Sequence, residues 1–155
     1  EHDDLAAEQD AARHWWRREV AVDGTRLRDA PEKARSDLDI VLAAVRQTGY
    51  ALEFAASEVI TYEVVLAAVQ QNGHALQFAG RYQRDPTLVK VAGQSLAAEA
   101  EMSKWAEDVT GDGLLLQQAP THVRRTLSVV LLAVKQNGLA LRFAGGSPRR
   151  DRTVV

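Results

Sequence analysis

The chain has 155 residues, a formal net charge of −2 and no cysteine. That size suits one domain or one short array, the charge offers no general field to gather nucleic acid or an anionic membrane, and disulfides and thiolate metal sites are excluded. No apolar run approaches the roughly 18 residues of a membrane-spanning helix.

The chain begins at Glu1 without a signal-peptide pattern, which fits a processed precursor or an excerpt. Residues 3–22 read as one helix holding Leu5, Ala12, Trp15, Trp16 and Val20. Its Arg13-His14-Trp15-Trp16-Arg17-Arg18 cluster has the aromatic and basic residues that single-strand binding uses. Trp16 is better explained as core, because Trp105 takes the same place in a later unit and no other unit is basic there. A weak nucleic-acid binder using Trp15, Arg17 and Arg18 is therefore an alternative reading, and no nucleic-acid partner is expected.

Past a polar loop around Pro31, the stretch Ile40 to Ala55 (IVLAAVRQTGYALEFA) is followed by near copies at Val64–Ala79 (VVLAAVQQNGHALQFA) and Val129–Ala144 (VVLLAVKQNGLALRFA). Internal repeats fix architecture before any other signal. Aligning on the glycine uncovers two weaker copies, at Gly24 and Gly113, beside Gly49, Gly73 and Gly138. Each of the five has valine four residues before it, leucine three after and alanine six after. A longer period of 89 residues relates Trp16 to Trp105 and Gly49 to Gly138.

Within a unit, Leu38, Leu42 and Val45 follow the i, i+4, i+7 rule of a helical face. Ile40, Val41, Ala43 and Ala44 fill much of the remaining circumference, so the helix has to be covered by neighbours on several sides. Ser36 with Asp39 resembles a capping box, Thr61 or Tyr62 precedes Glu63, and Asp85-Pro86 marks a further start. The glycine reads as a helix stop in the left-handed conformation. Asn72-Gly73 and Asn137-Gly138 also fit a β-hairpin turn, but their flanks lack the alternation of strands.

The predicted fold is all-α, an α-solenoid-like array of short helical hairpins with one inserted long helix, forming a single array over 1–155. Units fall at about 12–32, 37–58, 61–82, 101–120 and 126–147. The insertion falls at about 86–104, within a helical stretch running on to about Val109. Residues 148–155 look like the first turn of a further repeat.

Little chemistry is written into the chain. Asp108-Val109-Thr110-Gly111-Asp112-Gly113 resembles the front of a calcium loop, but the position that needs a bidentate glutamate is Ala119. His2, His14, His74 and His122 have no partner at zinc-pair spacing. No nucleophile elbow or glycine-rich phosphate loop occurs. The expectation is a protein that is not an enzyme and uses no cofactor or metal.

The three strong copies, Val-Val-Leu-Ala-Ala-Val-x-Gln-Asn-Gly-x-Ala-Leu-x-Phe-Ala, resemble a family of short tandem helical repeats catalogued as a domain of unknown function and found in algae, protists and some intracellular bacteria. The resemblance covers about 37–80 and 122–155. It implies an all-helical array with no catalytic residues to carry over. The functional expectation is a structural or protein-interaction scaffold, an accessory or linker subunit of a larger assembly in an organelle such as the chloroplast. The alternative is a regulatory or targeting module attached to a catalytic domain elsewhere. A solenoid selects partners through its variable surface positions. Here these are Arg46, Glu53, Gln70, Gln77, Lys135 and Arg142, with Tyr50, His74 and Leu139 at the turns and Trp15 and Arg17 on the first helix.

Overall fold

The computed structural model describes residues 2–145. The reading of 148–155 as a further repeat lies outside the described residues. All regular elements among the described residues are α- or 3-10 helices, so Asn72-Gly73 and Asn137-Gly138 are not hairpin turns.

The chain divides into two compact units, one up to Leu96 and one from Ala97. The first contains α1 (His2–Val22), a 3-10 helix Gly24–Asp29, α2 (Glu32–Arg35), α3 (Leu38–Gln47), a 3-10 helix Gly49–Phe54, α4 (Tyr62–Gln71) and a 3-10 helix Gly73–Phe78. It ends in the first half of α5 (Pro86–Gly111). The second unit contains the other half of α5, a 3-10 helix Gly113–Gln118, α6 (Thr121–Arg124), α7 (Leu127–Gln136) and a 3-10 helix Gly138–Phe143. Gly24 and Gly113, Glu32 and Thr121, Leu38 and Leu127, and Gly49 and Gly138 start equivalent elements 89 residues apart. The long period seen in the sequence is thus the period of the fold.

Capping explains where the helices start. The side chain of Asp37, rather than the predicted Ser36, accepts from the N–H groups of Asp39 and Ile40 at 3.0 and 3.2 Å. Asp37 lies one residue nearer the first helical turn, where an acceptor reaches the free N–H groups. Thr61 accepts from Val64 N–H, and Asp85 from those of Thr87 and Leu88.

In the first unit α1 packs on α3 and α3 on α4, while the Gly24, Gly49 and Gly73 3-10 helices pack in the same succession. Val20, Val45 and Val69 are completely buried, as are Leu27, Val41 and Val65. Each such side chain contributes about 1.5–3 kcal/mol of transfer free energy. Helices of this length are marginal alone, so this shared core holds them. The second unit has its own core around Val109, Leu116, Val123, Val129 and Val130.

The repeat glycines do not work as expected. The only positive φ at a described glycine is at Gly80 (55°), and the residue before each repeat glycine is extended, as Thr48 is at φ −142°, ψ 105°. The glycine instead opens a 3-10 helix that lies against the next α-helix. A Cβ on Gly49 would sit 2.5 Å from the Ala68 carbonyl oxygen. Cβ atoms on Gly24, Gly73 and Gly113 would likewise fall closer than 3.0 Å to the carbonyls of Ala44, Ala92 and Ala133. Glycine is required there for close backbone approach rather than for handedness.

A side-chain latch accompanies three of these contacts. Gly24, Gly49 and Gly113 donate their N–H groups to the Oε1 atoms of Gln47, Gln71 and Gln136 at 2.7, 2.6 and 2.7 Å. The amides of Gln71 and Gln136 donate back to the carbonyls of Gln47 and Gly111 at 3.3 and 3.4 Å. The glutamine always lies three residues after the alanine whose carbonyl meets the glycine.

The long helix follows from the same rule. Leu88 and Ala92 are buried in the first core and Ala92 covers Gly73, so the start of α5 is a repeat helix in register rather than an insertion. Where the repeat spacing calls for a glycine, the chain has Ala97 and Ala98. With no stop, the helix runs on to Gly111 and supplies Trp105 and Val109 to the second core.

Candidate functional site

A 3-10 helix has about three residues per turn, so side chains at i and i+3 eclipse. Counting from each glycine, the glycine itself and the leucine at +3 face the core. Residues at +1 and +4 then form one outward row on each 3-10 helix. These rows are Thr25 with Arg28, Tyr50 with Glu53, and His74 with Gln77 in the first unit, and Leu114 with Gln117 and Leu139 with Arg142 in the second; every one of these side chains is exposed. The backbone beneath repeats while the row changes from copy to copy.

Neighbouring rows form grooves. Thr25, Arg28, Asp29, Tyr50, Glu53 and Phe54 line one between the first two 3-10 helices. Tyr50 meets Phe78 of the next helix edge-on, with ring centres 6.2 Å apart. In the second unit Leu139 is 63% exposed, and the Arg142 guanidinium lies over the Phe143 ring at 4.7 Å. Along these rows apolar side chains stand beside polar and charged ones.

Of the predicted partner-binding residues, Tyr50 and His74 occupy the same register of adjoining rows, and Leu139 and Arg142 share one row. Trp15 and Arg17 stand apart, on α1, and two residues apart on a helix they face different sides. Trp15 is 52% exposed and packs edge-on against Trp16, at 4.7 Å between ring centres. Thr25, Arg28, Leu114 and Gln117 were missed because they lie in the weak copies. Their place could have been found by counting from Gly24 and Gly113.

One concavity was not legible in the sequence. A cleft of about 240 Å³ in the first unit is lined by Trp16, Pro31, Ala34 and Ile40, with Arg13 and Asp37 among its polar residues. Arg13 Nε donates to Asp37 at 2.5 Å and its Nη2 to Asp39 at 2.7 Å. Partial burial pushes the Asp37 carboxyl up, but the Arg13 hydrogen bond, the Ile40 N–H and the Arg13 charge outweigh it and hold Asp37 below the usual range. Arg13 is raised in turn, first by its hydrogen bond to Asp37. In the second unit His122 Nε2 lies 3.3 Å from Glu101.

No cluster of three His, Asp or Glu side chains that could hold a metal occurs among the described residues. No helix of the described residues is long and apolar enough to cross a membrane.

Residues 20–60 match DUF4116, a domain of unknown function. The DUF4116 match starts at Val20, in the weaker Gly24 copy, and covers the Gly24 and Gly49 3-10 helices with α2 and α3. No curated protein and no solved structure matches the chain.

Proposed function

We propose that this chain is a non-enzymatic protein-interaction scaffold, working within a larger assembly, that reads its partner with the outward rows of its 3-10 helices. The observation that carries this is the contrast between frame and row. Glycine and leucine recur at 0 and +3, whereas +1 and +4 change from Thr25/Arg28 to Tyr50/Glu53 to His74/Gln77 to Leu139/Arg142. A frame that repeats can be selected for packing alone, whereas a changing row on it suits recognition of a particular surface. Tyr50 and Leu139, large apolar side chains left 39% and 63% exposed, serve as the anchors that dominate such contacts.

The test is cross-linking capture from the native source with wild-type chain and with a Tyr50→Asp, His74→Asp, Leu139→Asp variant. The variant should lose the partners that the wild type recovers while keeping its helical circular dichroism. Equal recovery by both chains refutes the assignment of the rows.

A further inference from the structure

The cleft between α1 and the segment 31–40 has a counterpart in the second unit, and there it is filled. Each of its lining positions can be followed 89 residues along the chain. Trp16, Pro31 and Ile40 correspond to Trp105, Pro120 and Val129, so the frame is kept. The residues beside them change. Ala34 corresponds to Val123, which is fully buried, and Arg13 to Met102, which packs against the second core. Arg13 itself is bonded to Asp37 and Asp39. The mouth differs in charge as well. In the second unit His122 Nε2 lies 3.3 Å from the Glu101 carboxylate. The counterparts of these two residues are Lys33 and Ala12, a cation and a methyl group. Lys33 Nζ donates to the neutral Gln9 side chain at 2.6 Å, and among the described residues no ion pair includes it.

The geometry points to this cleft as a binding site for a small monocarboxylic acid with an apolar body, such as an aryl-substituted or branched-chain carboxylate. This goes beyond the scaffold reading and uses none of its outward rows. The chain itself specifies the occupant. Where the second unit supplies Val123 and Met102, the first leaves about 240 Å³ beside Trp16, Pro31, Ala34 and Ile40. Where the second supplies Glu101, the first leaves Lys33 without a carboxylate. A ligand that completes the first unit brings both, an apolar group for the floor and a carboxylate for the ammonium. Burial of the apolar group provides affinity, and the charge-assisted bond fixes orientation. The Arg13–Asp37 pair walls one side with its charges already matched. Asp10 also lines the cleft, but the second unit has Glu99 in that place. This acid belongs to the shared frame and does not distinguish the open cleft from the filled one.

The experiment titrates the isotope-labelled 155-residue chain with hydrocinnamate and follows amide and indole shifts by NMR. Saturable shifts at Ala34, Ile40 and the Trp16 indole are expected, with a Kd of about 1 mM or tighter for a ligand of this size. The uncharged hydrocinnamamide should bind roughly fivefold more weakly, and Lys33→Gln should weaken hydrocinnamate binding by the same factor. Ala34→Val, which installs the residue of the second unit, should weaken it roughly tenfold by filling the floor. Ala12→Glu tests the site at an exposed position without touching the core. It gives Lys33 an internal carboxylate and should weaken binding roughly fivefold with the melting transition unchanged. A Tyr50→Asp, His74→Asp chain should bind hydrocinnamate as the wild type does. The proposal is overturned if hydrocinnamate gives no saturable shift in the cleft, if the Ala34→Val and Ala12→Glu chains both bind it undiminished, or if binding needs Tyr50 and His74. Tighter binding of phenylpropylamine would overturn the choice of a carboxylate and assign the cleft to a cation held by Asp10.

Discussion

Gly49→Ala tests the physical basis of the fold most directly. The added methyl would lie 2.5 Å from the Ala68 carbonyl oxygen, 2.9 Å from Gln71 Oε1 and 3.0 Å from Asn72 Cβ. Two of these three neighbours belong to helix α4 or its latch, and the nearest is backbone, so relief requires the helix to move. Overpacking of this kind costs about 1–3 kcal/mol. Moving α4 also stretches the 2.6 Å bond from Gly49 N–H to Gln71, worth about 1 kcal/mol. The stiffer unfolded chain returns roughly 0.5 kcal/mol. The net expectation is a loss of about 1.5–3.5 kcal/mol, centred near 2.5. For a unit of this size that lowers the melting transition by roughly 10–20 °C. Gly138→Ala meets nothing within 4 Å among the described residues and should be neutral or stabilising by roughly 0.5 kcal/mol. The two variants are compared by circular dichroism melting at 222 nm. Had the glycines been chosen for left-handed backbone, both substitutions would cost a similar amount, about 1–2 kcal/mol. Equal destabilisation at the two sites therefore refutes close approach as the reason for glycine.

Gln71→Ala should destabilise the first unit by about 1–3 kcal/mol, because the part-buried Gly49 N–H loses its acceptor; the urea midpoint should fall at constant slope, and an unchanged midpoint would count against the latch. Thr48 makes no cap bond to the N–H groups that follow, unlike Asp23, Asn72, Asp112 and Asn137. Thr48→Asn should therefore stabilise by about 0.5–1 kcal/mol, seen as a higher melting temperature, and a lower one would show that threonine packs in a way the cap cannot replace. The lowered Asp37 carboxyl gives stability that is fully present above its unfolded value near pH 4 and is lost as the pH falls through its lower folded value. Asp37→Asn should accordingly flatten the acid limb of a stability–pH curve below about pH 4 and leave its shape near neutrality unchanged; an acid limb as steep as the wild type's would refute the Arg13–Asp37 pair as its source.

Much of the fold was legible because repetition multiplies weak signals. Five glycines with valine at −4 and leucine at +3 located every hairpin, including the two whose remaining residues had drifted. Helix class followed from apolar positions spread around α3 and α4, and the start at Asp85-Pro86 from an acceptor beside a proline. The outer rows were half legible. Tyr50, Glu53, His74, Gln77, Leu139 and Arg142 stand out in the sequence as variable positions, and the 3-10 geometry aligns them as eclipsed pairs at +1 and +4. A short α-helix would also set residues at i and i+3 on one face, about 60° apart, whereas the 3-10 helix eclipses them, and the sequence does not distinguish the two helix types.

The sequence by itself determined the helical class, the periods of 24–25 and 89 residues and the identity of the core valines and leucines, because each depends on local periodicity or on self-comparison. Only the tertiary structure decided why glycine recurs. The reason lies in the carbonyl of another helix some twenty residues further on, and no local preference carries that information. The same holds for α5. Its first turns look like an insertion in one dimension, and become a repeat helix once Ala92 is seen over Gly73.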